Sequence, residues 1–181
     1  MRRTIGIVFV VVFLVSSSSG VALAAPSPER GTAQGLGLPR AQFEGSWIDL
    51  GKGWGPASAC MILPERAAEC VRTSAAMERR EASLAGLIAP NINCSTPLRL
   101  HDGTYQTGTT VSIYVRGLWV DLSTFGFDNR TSSYTVGACA IELASGSGGS
   151  GSHYSRCLYA GCVENVMATG WNNVVSSVYL H

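Results

Sequence analysis

Apolar residues are distributed along this chain in three different ways. Ile5 to Val15 is an almost unbroken apolar run behind Arg2 and Arg3, followed by Ser16 to Ser19, Gly20 and the small-x-small triplet Ala22-Leu23-Ala24. That order of charge, apolar run and small residues predicts a signal peptide over residues 1–24, and the run is too short to span a bilayer. Pro26, Pro28, Pro39 and several glycines make 25–45 a flexible leader. Residues 46–93 read as a small separate α+β extension. Ala59 to Leu63 and Cys70 to Arg72 are strand-like, and Ser74 caps a helix that runs to about Ile88 before Pro90. Met77, Leu84 and Ile88 fall on one face of that helix, while Glu78 and Glu81 fall on a solvated one. From Cys94 onward Thr, Ser, Val, Tyr and Gly take over. Short strands are expected at residues 111–115, 118–122, 132–136 and 176–180. Frequent turns between short strands imply a mainly β sandwich over 94–181.

Two hexapeptides interrupt that pattern. Asp128-Asn129-Arg130-Thr131-Ser132-Ser133 returns 44 positions later as Asn172-Asn173-Val174-Val175-Ser176-Ser177. Both read Asx, Asx, two free positions, Ser or Thr, then Ser. Gly126-Phe127 precedes one and Gly170-Trp171 the other. Chance would produce such a pattern about once per ten thousand positions, so two copies mark an internal duplication. Phe127 and Trp171 are then equivalent and are expected to be buried between the sheets. Asx and Ser side chains, with the carbonyls of a tight loop, offer the oxygen atoms that calcium prefers.

With these residues the second half of the chain, roughly from Cys94, resembles the βγ-crystallin superfamily. It is most similar to small secreted bacterial members of actinobacterial type, where a Trp-x-Asp-Leu stretch, here Trp119-Val120-Asp121-Leu122, precedes a Gly-Phe-Asx-Asx loop. The resemblance implies two Greek-key motifs forming a βγ-crystallin-like sandwich. It also implies Ca2+ ligands: Asp128, Asn129 and the carbonyl of Arg130 in one loop, and Asn172, Asn173 and the carbonyl of Val174 in the other. Ser132 and Ser176 would give hydroxyl oxygens across the pseudo-twofold. Ser133 and Ser177 would instead hold a folded hairpin by hydrogen bonding. The family opens each motif with such a hairpin, which carries two aromatics and a glycine and lends a carbonyl to one calcium. Motif one fills it with Leu100, Tyr105 and Gly108. In motif two the low-complexity stretch Gly146 to Ser152 stands there instead.

Cysteine usage sharpens the picture. An even set, Cys60, Cys70, Cys94, Cys139, Cys157 and Cys162, in an exported chain reads as disulfides. Many pairings are possible. Cys60–Cys70, Cys94–Cys139 and Cys157–Cys162 join neighbours in the expected layout. Zinc is disfavoured because no Cys-x-x-Cys occurs and His101, His153 and His181 are scattered.

Charge excludes further classes. Lys52 is the one lysine, and loss of Arg2 and Arg3 leaves basic and acidic residues nearly balanced. No basic stripe is present for nucleic acid or for a membrane surface. No Gly-x-Ser-x-Gly elbow in a strand-turn-helix setting supports a catalytic serine, and His101-Asp102 reads as a turn before Gly103 rather than a base with its orienter. The chain is therefore expected to be a secreted, monomeric calcium-binding protein with a structural or binding role and no enzymatic activity. An inhibitor of secreted metallopeptidases, using the loop closed by Cys157 and Cys162, and a killer-toxin-like antimicrobial protein are the alternatives that the resemblance permits.

Overall fold

In a computed structural model, residues 40–64, 68–88 and 94–181 are described. The expected signal peptide and the leader before Arg40 lie outside them. The elements run β1 (Arg40–Phe43), β2 (Ser46–Asp49), β3 (Ala59–Ile62), β4 (Ala68–Val71), α1 (Ser74–Ile88), β5 (Leu98–His101), β6 (Thr110–Ile113) and β7 (Trp119–Asp121). They continue with β8 (Ser133–Thr135), β9 (Ile141–Ala144), β10 (Val163–Glu164) and β11 (Ser177–Leu180). An 8-stranded sheet has the order β10-β8-β5-β6-β3-β4-β1-β2, and a 3-stranded sheet the order β7-β11-β9. An isolated bridge between Ala144 and His153 adds a partner beside β9.

The last seven strands contain an approximate twofold. β8 pairs with β5 and β10, and β11 pairs with β9 and β7, all antiparallel. The third strand of each motif therefore crosses to the sheet of the other. This is the paired Greek-key sandwich that the βγ-crystallin resemblance implies. Leu98, Leu100, Val111, Ile113, Phe127, Tyr134, Leu143 and Val178 fill its interior.

The region before Cys94 departs from expectation in two ways. β1 lies inside the expected leader. Its hairpin with β2 and its parallel pairing with β4 make it part of the 8-stranded sheet. Nor does 46–93 stand apart, because β3 pairs in parallel with β6, Cys60 opposite Val111. The reason lies in β3 itself. Ala59, Cys60, Met61 and Ile62 are all buried, the continuous apolar run of a strand covered on both faces. One face joins the main core, and the other joins Met77 of α1 and Tyr114 in a smaller cluster.

Helix α1 forms as predicted, with a shifted cap: Thr73 Oγ1 accepts from the amide of Ala76 at 3.1 Å, so Thr73 closes the N-terminus. Met77 and Leu84 dock on the sheet, whereas the side chain of Ile88 lies outside the described residues. Glu78 is exposed, but Glu81, expected on the solvated face, is buried and ion-paired with Arg99 of β5. Position 81 follows Met77 by one helical turn and so shares the docked face. The three disulfides are Cys60–Cys70, Cys94–Cys139 and Cys157–Cys162, with Cα separations of 4.0, 5.2 and 5.5 Å. The first ties directly opposed residues of β3 and β4, and the second ties the starts of the two motifs.

Candidate metal centre

Each Asx loop turns on two left-handed residues. Gly126 and Asn129 have φ of 64° and 54°, and Gly170 and Asn173 have 83° and 58°. Glycine adopts this region freely, and asparagine is among the few L residues that tolerate it. The loops then lock to each other reciprocally. The Asn129 amide donates to the carbonyl of Val175 at 3.1 Å, and the Asn173 amide to that of Thr131 at 2.9 Å. Side chains repeat the symmetry. The Ser132 hydroxyl donates to Asn173 Oδ1 at 3.2 Å, and the Ser176 hydroxyl to Asn129 Oδ1 at 3.4 Å.

Two oxygen-rich corners result. Corner one gathers Asp128, Asn129, the backbone of Arg130 and, across the pseudo-twofold, Ser176. Corner two gathers Asn172, Asn173, the backbone of Val174 and Ser132. Both are poor in carboxylate, Asp128 being the one acidic member. Asp128 Oδ2 accepts from Asn129 Nδ2 at 2.9 Å, while Oδ1 is buried with no hydrogen-bond partner. A buried carboxylate oxygen without a donor is costly, and a cation satisfies it as well as a donor would. That oxygen, the reciprocal serines and the hard-oxygen character of the set fit calcium chemistry.

Hairpins flank the corners in matching form. Ser133 Oγ accepts from the Gln106 amide at 3.0 Å and donates to the Gly103 carbonyl at 2.6 Å. Ser177 Oγ accepts from the Gly149 amide at 3.0 Å and donates to the Gly146 carbonyl at 2.6 Å. The serines expected to hold hairpins therefore do so in both motifs. In motif two the Gly/Ser stretch, expected to be low-complexity loop, is itself the hairpin. Its glycines are required by the geometry: Gly149 has φ of 81°, and a Cβ there would lie 2.2 Å from the Trp119 ring.

Outside this symmetry corner one has additions. The Arg130 guanidinium donates to the Gly126 carbonyl at 2.9 Å and to Asp102 Oδ2 at 2.7 Å, and lies 5.0 Å over Phe127 and 5.6 Å over Trp54. The Trp54 indole donates to the Phe125 carbonyl at 2.8 Å and packs 5.7 Å from Phe127. Sequence reasoning missed the Trp54 contact and the Arg130 side chain. Nothing local links residue 54 to residue 125. The same contacts explain why Phe127 is fully buried while its equivalent Trp171, expected to be buried too, is only partly buried and packs edge-on at 5.1 Å from Tyr154. Among the described residues, nothing lies within 4 Å of a Cβ placed on Gly170 at the second corner.

His101 and Asp102 each bond to other partners. Asp102 Oδ1 accepts from the Thr109 amide at 2.6 Å, and His101 Nδ1 meets the Thr110 hydroxyl at 2.9 Å. Burial, helped by the charge of Arg99 and opposed by Asp102, holds the His101 pKa down at about 4. His153 and His181, far apart in sequence, converge on Glu142, at 3.6 and 3.0 Å from its two oxygens. Among the described residues, no three His, Cys, Asp or Glu side chains are arranged to hold a metal.

No family model matches the chain, and no curated protein matches it in sequence. Solved structures similar to it include a beta gamma crystallin from Ciona intestinalis, at 21% identity and a TM-score of 0.40, covering 46% of this chain and 98% of that one. The N-terminal domain of Protein S is similar at 19% identity and a TM-score of 0.39, covering 47% and 94% respectively. Likeness at this level says nothing about activity. The fold rests on the strand order and the paired hairpins. Among the described residues no helix is long and apolar enough to cross a membrane.

Proposed function

We propose that the protein is a secreted calcium-binding module of βγ-crystallin type in which Ca2+ and three disulfides stiffen an extracellular scaffold. The observation that carries this reading is the reciprocal Ser132–Asn173 and Ser176–Asn129 crossing, together with the unpartnered Asp128 oxygen beside it. Corner one would hold an ion through Asp128, Asn129, the Arg130 carbonyl and Ser176. Corner two would use Asn172, Asn173, the Val174 carbonyl and Ser132. A bound ion supplies the charge that joins the loop of one motif to the serine of the other, and so cross-links the sheets. With so little anionic charge, affinity belongs in the range of extracellular modules, about 0.1 to 1 mM. Calorimetric titration of the purified protein with calcium tests this. Binding in that range supports it, and no heat above dilution at millimolar calcium overturns it.

A second reading, inhibition of a secreted metallopeptidase, draws on one feature. Tyr159 is 68% exposed in the loop closed by Cys157–Cys162, and a loop constrained in this way loses less entropy on binding. Assay against thermolysin-like peptidases decides it.

A further inference from the structure

The two corners share a sequence pattern but not an environment. Corner one is walled by the N-terminal segment. A Cβ on Gly126 would lie 2.5 Å from the Leu50 carbonyl, whereas one on the equivalent Gly170 would meet nothing within 4 Å. The carbonyls just ahead of Asp128 are both held from outside the loop, Phe125 by the Trp54 indole and Gly126 by the Arg130 guanidinium. Asp102 of the first hairpin fixes that guanidinium in turn. At corner two Val174 stands in place of Arg130 and Ser145 in place of Asp102. Among the described residues, the second loop therefore lacks the donors that steady the first.

We infer that Trp54 is a positioning residue for corner one, setting the affinity of that corner alone by fixing the loop that leads into Asp128 and Asn129. The inference rests on the calcium reading above and extends it to a strand-and-turn segment that lies outside the Greek keys. Its physical basis is preorganisation. A loop already held in its binding form loses less freedom when an ion arrives. The Arg130 charge does not oppose the ion to its full extent, because Asp102 neutralises it at 2.7 Å.

The test isolates each corner before disturbing Trp54. Asn129 and Asn173 both occupy left-handed backbone, so Asn129→Gly and Asn173→Gly remove a ligand oxygen without backbone strain. The first leaves corner two, and the second leaves corner one. Trp54→Phe is then added to each, keeping an aromatic ring against Phe127 while deleting the indole donor. Calcium alone is titrated by calorimetry. The expected result is a loss of about three- to tenfold in affinity in the Asn173→Gly background, the worth of one hydrogen bond, and no change in the Asn129→Gly background. Asp102→Asn, which loosens the same guanidinium from the hairpin side, should reproduce the one-corner loss. An equal loss in both backgrounds marks general loosening and overturns the inference, as does no loss in the Asn173→Gly background. Absence of calcium binding in both parent variants removes the calcium reading and this inference together. Selective behaviour of the corners distinguishes the two failures.

Discussion

Ser132 and Asn173 lie 41 positions apart, yet the serine hydroxyl donates to the asparagine side-chain oxygen at 3.2 Å. Ser176 and Asn129 repeat the contact with the motifs exchanged. Each hexapeptide therefore completes its partner's corner rather than its own, and an ion in either corner would contact both motifs. A ligand that binds the folded state alone raises stability by about 1.4 kcal/mol when its free concentration is ten times its dissociation constant. Thermal unfolding in 5–10 mM calcium, taken as roughly that multiple for an extracellular-type site, should accordingly occur several degrees higher than in chelator. Asn129→Gly and Asn173→Gly should each remove part of that shift. Superimposable melting curves with calcium and with chelator would refute calcium binding.

Ser177 anchors the second hairpin through two hydrogen bonds, to Gly149 and Gly146. Ser177→Ala leaves an amide and a carbonyl at the rim without that partner, and should lower stability by about 1–3 kcal/mol. Urea unfolding measures it. Ser133→Ala should behave alike, since it breaks the matching pair to Gln106 and Gly103.

His101 sets an acid limit. Its folded pKa of about 4 lies below the ordinary 6.5, so between these values the unfolded chain binds the extra proton and the folded chain does not. Stability from this group is fully present above pH 6.5, and it is lost progressively as pH falls to 4, by about 3 kcal/mol at most. Denaturation midpoints should fall steadily between pH 7 and 4.5. The His101 ring signals in NMR should stay neutral at pH 5.5. A ring that titrates near 6.5 would contradict the buried, neutral assignment.

The disulfides should differ in worth. Cys94–Cys139 closes a separation of 45 residues and Cys157–Cys162 one of 5. Chain entropy then assigns about 4 kcal/mol to the former and about 2 to the latter. Replacing both cysteines of each pair by alanine, followed by guanidinium unfolding, should rank them in that order.

The helix over 74–88, the strand that follows each Asx loop and a favoured, though not the only possible, disulfide pairing were legible in the sequence. They depend on local periodicity, on turn chemistry and on neighbours in one layout. The place of β3 was harder to see. Its apolar run Ala59 to Ile62 signals burial on both faces, but only its pairing with β6 makes the extension part of one sheet. Glu81 was misassigned for a related reason. Its helical position was visible, but the cation that makes burial tolerable, Arg99, sits on another element. Gly146 to Ser152 resembled featureless loop because a hairpin held by a distant serine needs little from its own side chains.

The chain by itself determined the two Asx loops, their left-handed asparagines, the cysteines and the repeat, all of which act within a few residues. Tertiary structure alone decided which serine meets which asparagine, that Trp54 clamps one corner and, among the described residues, has no counterpart at the other, and that His153 and His181 share Glu142. Local codes fix backbone shape over one turn or strand. Contacts between distant residues follow from the order of strands in the sheets, and here the exchange of β7 and β10 sets that order.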